Sequence, residues 1–175
     1  DGVYRAAEGV LEEIRAPTGE SIADVLCFHV DDVGDVWMGT SSAELLRWCD
    51  GSLDRVKLSI GLTAHSVHGI VRDDEGFWWM ATDRGVVRAD PADLAAAADG
   101  ATSPIRGQVI GTDDGMYSAQ CSSGRQPVCG RSGNGSLWFA TTKGATMIDP
   151  AQFRLNDLPP GGRRAAGQLY LSLRA

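Results

Sequence analysis

Asp32-Val33-Gly34-Asp35-Val36-Trp37-Met38-Gly39-Thr40 is one of three versions of a single pattern. The others are Asp74-Glu75-Gly76-Phe77-Trp78-Trp79-Met80-Ala81-Thr82 and Gly133-Asn134-Gly135-Ser136-Leu137-Trp138-Phe139-Ala140-Thr141. The tryptophans stay in register. Trp37 and Trp79 stand 42 residues apart; Trp79 and Trp138 stand 59 apart, with the surplus of 17 taken up by an extra segment around residues 90–100. A fixed period of this length marks a chain built from repeated supersecondary units, each needing its neighbour to cover an apolar face.

Working outward, each repeat reads as strands and turns. An apolar run (Val25–Val30, Val67–Arg72) leads into an Asp/Gly turn and then the Trp strand. A Thr-x-x-Gly turn follows (Thr82–Gly85, Thr141–Gly144), then a third short strand (Val86–Ala89, Ala145–Ile148). The first repeat has Ala43 where the others have glycine, so its turn should differ. A fourth strand is expected at Leu53–Ile60 and Ile105–Ile110, and four antiparallel strands every 40–45 residues is the signature of a β-propeller blade. The fold class read here is all-β, with three full blades over about 22–60, 64–111 and 125–158 and a half blade over 1–16. On a half-buried strand Trp37, Trp79 and Trp138 serve as core between adjacent blades rather than as ligand platforms. Asp90, Pro91, Asp93 and Gly100 are placed to cap, start, charge and stop a short surface helix over Asp90–Ala98. In residues 161–175, Leu169, Leu171 and Leu173 share one face at period two. Open blade edges invite aggregation, so either Gln168–Arg174 completes the half blade or two chains associate through those edges.

The 175 residues suit one domain, and 43% hydrophobic with 22% charged residues is a globular balance. Sixteen Lys and Arg against 23 Asp and Glu give a net charge of −7, which offers no excess for a phosphate backbone or an anionic membrane. No apolar stretch approaches the roughly 20 residues a bilayer crossing needs, so no membrane insertion is expected of this chain. The start of the chain lacks the basic and apolar regions of a signal peptide, and localisation is left open. Cys27, Cys49, Cys121 and Cys129 show no zinc spacing. Cys121 and Cys129 are close enough in sequence to bridge, with buried free thiols the favoured reading.

The pattern of an apolar strand, two acidic residues, Gly, then Trp-x-Ala/Gly-Thr-x-x-Gly resembles the two-component regulator propeller repeat, found in the sensor halves of bacterial hybrid histidine kinases. The likeness runs from about Asp1 to Pro160. The stretch from Thr112 through Gly124-Arg125-Gln126-Pro127 to Ile148-Asp149-Pro150 resembles the last blades of such sensors. The resemblance implies a C-terminal piece of a sensor propeller, in a periplasmic or extracellular compartment. Gly161-Gly162-Arg163-Arg164 matches nothing in that family.

The chemistry is sparse. No GxSxG, GxGxxG, P-loop or HExxH motif occurs. If the first strand of a blade is innermost, the Asp/Gly turns lie on one face of the propeller, and the Thr-x-x-Gly turns gather with the interblade links on the other, the usual binding rim. Asp31, Asp32, Asp73 and Asp74 are then solvated Asx-turn residues. The rim collects His65, His68, Asp83, Arg84, Arg125, Gln126 and Lys143, imidazoles and charges that suit a carboxylate-bearing ligand or a sugar acid. Two function classes follow. The first, from the resemblance, is a non-catalytic, ligand-sensing propeller with no cofactor, taking a small molecule or oligosaccharide. The second is a calcium-dependent propeller hydrolase of the lactonase type, in which Asp113 or Asp114 would ligate the cation.

Overall fold

A computed structural model of the chain describes residues 2–42, 44–58, 66–124 and 126–153. Its strands form four antiparallel sheets in chain order. A hairpin of β1 (Val3–Ala7) and β2 (Val10–Ile14) comes first. Blade 1 follows as β3 (Val25–Val30), β4 (Val36–Thr40), β5 (Glu44–Cys49) and β6 (Ser52–Lys57). Blade 2 is β7 (Val67–Arg72), β8 (Trp78–Thr82), β9 (Gly85–Ala89) and β10 (Gly107–Ile110). Blade 3 is β11 (Cys129–Arg131), β12 (Leu137–Thr141) and β13 (Gly144–Ile148). Blade 3 thus has three strands among the described residues, and the fourth expected near its end lies outside them, as does the tail strand at Gln168–Arg174. The first strands of successive blades, β3, β7 and β11, lie side by side.

Alternation of side chains decides the packing. On β4, Trp37 faces blade 2 while Met38 faces the hairpin; on β8, Trp79 faces blade 3 while Trp78 and Met80 face blade 1. The core is therefore divided into three clusters, each shared by two consecutive units. Val3, Ile14, Met38, Leu46 and Leu53 join the hairpin to blade 1. Trp37, Leu45, Val56, Trp78 and Met80 join blades 1 and 2, and Trp79, Ile110, Leu137, Phe139 and Ile148 join blades 2 and 3. The small residue of the Trp-x-Gly/Ala motif sits where blades meet most closely: a Cβ on Gly39 would stand 2.6 Å from the Val67 carbonyl oxygen.

The acidic turns are more than solvated loops. Oδ1 of Asp31 accepts from the backbone N of Val33 and Asp35, and Oδ2 accepts from Trp37 Nε1 at 2.9 Å. Asp73 repeats this on Glu75, Phe77 and Trp79, the last at 2.7 Å, and is itself buried. The Asx-turn expectation holds, but each first aspartate also fixes the indole six residues on. The second aspartate reaches the next blade: Asp32 pairs with Arg72, and Asp74 with Arg131. Across the sheet from each indole lies an arginine, Arg47 opposite Trp37 and Arg88 opposite Trp79, with guanidinium carbons 5.8 and 5.7 Å from the ring centroids.

Blade 3 breaks the set. Ser132 stands in place of the first aspartate, Gly133 of the second, and Met147 is opposite Trp138. Trp138 is half-buried, which corrects the expectation of three equally buried indoles. Leu137 and Phe139 face blade 2, so the alternation along β12 turns Trp138 to the opposite face.

Helix α1 (Pro91–Ala98) is capped as expected, Asp90 accepting from Ala92 N at 2.9 Å. It is not merely a surface helix. Leu94 is fully buried in the cluster between blades 1 and 2, and Asp99 at its end pairs with Arg47. The first repeat's turn is also one residue longer, as Ala43 suggested: Thr40 Oγ1 donates to the carbonyl of Glu44, whereas Thr82 and Thr141 reach only to Gly85 and Gly144. The four cysteines are free thiols. Burial pushes Cys121 up to about 11 and Cys129 to about 12, so neither is a reactive thiolate at neutral pH.

Truncating Trp79 to Ala should cost about 3–5 kcal/mol in denaturant unfolding, and Trp138→Ala distinctly less. Asp73→Ala should cost about 1–3 kcal/mol by orphaning a buried indole N–H.

Candidate functional site

The rim is built by one device used in all three blades. In each turn after the Trp strand, the Thr side chain donates to a carbonyl across the turn and accepts a backbone N–H two residues on. The acceptors are Glu44, Gly85 and Gly144 at 2.8–2.9 Å, and the donors are Ser42, Arg84 and Lys143 at 3.2–3.3 Å. Arg84 and Lys143 therefore occupy equivalent turn positions in neighbouring blades, and both side chains are exposed.

At the start of β7 the ladder shifts register between Val67 and Gly69, a bulge that redirects His68 at the rim end of an inner strand. The same irregularity occurs in β3 around Leu26. His68 is buried, with Nε2 3.0 Å from Ser66 Oγ, and its Nδ1 has no hydrogen-bond partner among the described residues. Asp83 Oδ1 accepts from Ser66 N at 3.1 Å. Burial lowers the His68 pKa from its ordinary value, and the nearby Asp83 charge opposes this. Asp83 thus holds the backbone amide of Ser66 and places its negative charge near the imidazole. The arrangement is a neutral imidazole with one unused ring nitrogen.

Gln126 reaches across the sequence to blade 1, its Nε2 donating to the Leu26 carbonyl at 3.3 Å. Lys143 stands 5.5 Å from the ring centroid of the exposed Tyr117, and Ser118 Oγ lies 3.1 Å from Thr142 Oγ1 beside it. The structure thus brings Ser66, His68 and Asp83 together on blade 2, and Tyr117 with Lys143 on blade 3. His65 and Arg125 lie outside the described residues. Asp113 is exposed, and Asp114 Oδ2 accepts from Gly111 N within its own turn. Among the described residues no group of three His, Cys, Asp or Glu is placed to hold a metal ion.

Sequence reasoning missed two features. Tyr117 follows the Gly115-Met116 pair and gave no periodic signal. An open groove of about 760 Å³ is also not on the rim. It lies between the hairpin and blade 1, beside Val3, Tyr4, Phe28, Val33 and Trp48. The half blade was its signal, since two strands cannot cover what four would.

Fold and rim define a run of β-propeller blades whose repeated turns present differing polar side chains. No family model matches the chain, and no curated protein sequence matches it. Among solved structures, the chain is similar to the extracellular domain of a hybrid two-component system from B. thetaiotaomicron, with a TM-score of 0.58 and 16% identity, over 84% of this chain and 19% of that one. It thus spans about a fifth of that structure's length. A virginiamycin B lyase from Staphylococcus aureus aligns over 82% of this chain and 61% of its own at 16% identity, with a TM-score of 0.47. The likeness to a two-component sensor propeller therefore holds at the level of the fold.

His68 should leave a mark on stability. Its folded pKa is below the unfolded value of 6.5, so the unfolded chain binds the extra proton first, and stability should fall as pH drops below about 6.5. His29, also lowered by burial, acts in the same direction. In thermal melts from pH 8 to 5, His68→Gln should flatten the decline, leaving the His29 share.

Proposed function

We propose that the chain is a ligand-sensing, non-catalytic part of a two-component receptor propeller, binding a small carboxylate-bearing molecule or acidic oligosaccharide at the rim. The observation that carries this reading is the unused Nδ1 of buried His68 at the rim end of an inner strand. A buried polar atom without a protein partner is expected to find water or a ligand. The exposed Tyr117 ring beside Lys143 supports the ligand class, pairing an apolar face for a sugar ring with a cation for its carboxylate. The fold shared with a hybrid two-component system's extracellular domain supports the receptor context. It also supports a location outside the cytoplasm. Nothing in the described residues favours the calcium-dependent hydrolase over this reading.

Calorimetric titration with matched neutral and uronic-acid oligosaccharides tests it. Acidic sugars should bind more tightly, and Arg84→Ala, or Lys143→Ala with unfolding unchanged, should weaken binding by about 1–3 kcal/mol. Asp113→Asn should leave binding as it was. Binding that requires calcium and is lost in Asp113→Asn would instead favour the hydrolase.

A further inference from the structure

The turn between the first and second strands of each blade needs a glycine at one place. Gly34, Gly76 and Gly135 have φ of +96°, +93° and +87°, a backbone state that favours glycine, and each donates its N–H to the carbonyl three residues back, on Asp31, Asp73 and Ser132. Gly135 is also packed against blade 2, where an added Cβ would stand 3.0 Å from Asp74 Oδ2. The residue before this glycine is Val33 in blade 1, Glu75 in blade 2 and Asn134 in blade 3. Of these three turns, only that of blade 3 sets a side-chain amide beside the glycine.

Asn134 does work that an aspartate does in the other blades. There the first aspartate accepts from the backbone N four residues on, Asp31 from Asp35 and Asp73 from Phe77, both at 2.9 Å. Ser132 stands in that place in blade 3, and Ser136 N donates instead to Asn134 Oδ1 at 3.2 Å. Ser132 Oγ lies 2.6 Å from the same oxygen, its hydroxyl shared with the Ser136 carbonyl at 2.9 Å. A side chain bonded to the amide two residues on is folded back along its own main chain, past Gly135 N. Donors on Oδ1 withdraw electrons from Cγ and steady the charge that develops on the oxygen when a nucleophile attacks that carbon. Asn134 is exposed, so water reaches it.

We infer that Asn134-Gly135 is a self-modification site, at which the folded chain converts its asparagine to aspartate and isoaspartate. Gly135 N attacks Asn134 Cγ to close a five-membered imide, and the Cγ–Nδ2 bond breaks. Ammonia leaves with the proton that Gly135 N gives up. Water then adds to one of the two imide carbonyl carbons, and the ring nitrogen takes back a proton as the ring opens. Opening at Cγ gives aspartate; opening at the main-chain carbonyl gives isoaspartate. Water is the one co-reactant. Attack requires the hydrogen bond from Gly135 N to the Ser132 carbonyl to break, so opening of the turn sets the rate. The products differ in what they do to that turn. Aspartate keeps Oδ1 in place for Ser136 N, whereas isoaspartate puts Cγ into the main chain, lengthens it by one carbon just before β12 and removes the side-chain acceptor. The inference uses nothing of the ligand reading.

Incubation of the full chain in oxygen-18 water at mildly alkaline pH, followed by ion exchange and peptide mapping, tests it. More acidic forms should appear while far-ultraviolet dichroism stays unchanged, each carrying one heavy oxygen at position 134, at a rate that rises with hydroxide concentration. Asn134→Gln would have to close a larger ring and should form them about tenfold more slowly, or slower still. Asn134→Asp supplies the marker for the aspartate form. In denaturant unfolding the aspartate form should match the unmodified chain, and the isoaspartate form should unfold at a lower concentration. The inference is overturned if position 134 changes only after the chain is unfolded in urea, if Asn134→Gln yields the same acidic forms at the same rate, or if the heavy oxygen enters at Asn156 and not at Asn134. An isoaspartate form as stable as the aspartate form overturns the place given to Asn134 in holding the turn.

Discussion

The joint between blades rests on an indole held from three directions. An aspartate six residues earlier accepts its N–H, an arginine from the adjacent strand lies near its face, and the second strand of the next blade closes over its edge. Each contact is modest alone, a hydrogen bond contributing about 1 kcal/mol and a buried aromatic a few. Together they fix the ring's orientation, and with it the angle at which the next blade is set. Trp37 and Trp78 meet edge to face, centroids 5.1 Å apart, so two successive blades share one aromatic contact.

Because every apolar cluster is shared by two neighbours and none by three, cohesion in this chain is local along the row. That is the energetic pattern of a repeat array, in which stability is a sum over units and the joints between them. It explains why the hairpin, too small to be stable as two strands, is ordered here: Val3 and Ile14 are buried on Met38 and Leu46 of blade 1. It also explains why the inserted helix is tolerated. Helix α1 leaves blade 2 after β9, yet Leu94 and Asp99 attach to blade 1, so the insertion reinforces a joint rather than interrupting one.

Much of this was legible in the sequence, because the repeated blade writes its period into the turn and tryptophan positions of this chain. The innermost strands Val25–Val30 and Val67–Arg72 were readable to the residue, since apolar runs there end at an aspartate that must turn. The half-burial of Trp138 was not, because a motif reports a residue's type and not how closely its face is covered. The aspartate's grip on the indole was legible as a repeated spacing, Asp31 to Trp37 and Asp73 to Trp79, and was passed over because an Asx turn already accounted for the residue type. The bulge at His68 had no signal of its own; only the ladder reveals that its ring is buried with a nitrogen to spare. Tyr117 was equally silent, since the links between blades carry no period.

The threonine that closes each rim turn separates the stability of the turn from what the turn displays. Its hydroxyl takes the backbone N–H two residues on, so the turn closes in the same way over Ser42, Arg84 and Lys143 alike. Such positions recur once per blade at similar height around the axis. The side chain displayed can therefore change one blade at a time while the packing of the joints beneath keeps its form.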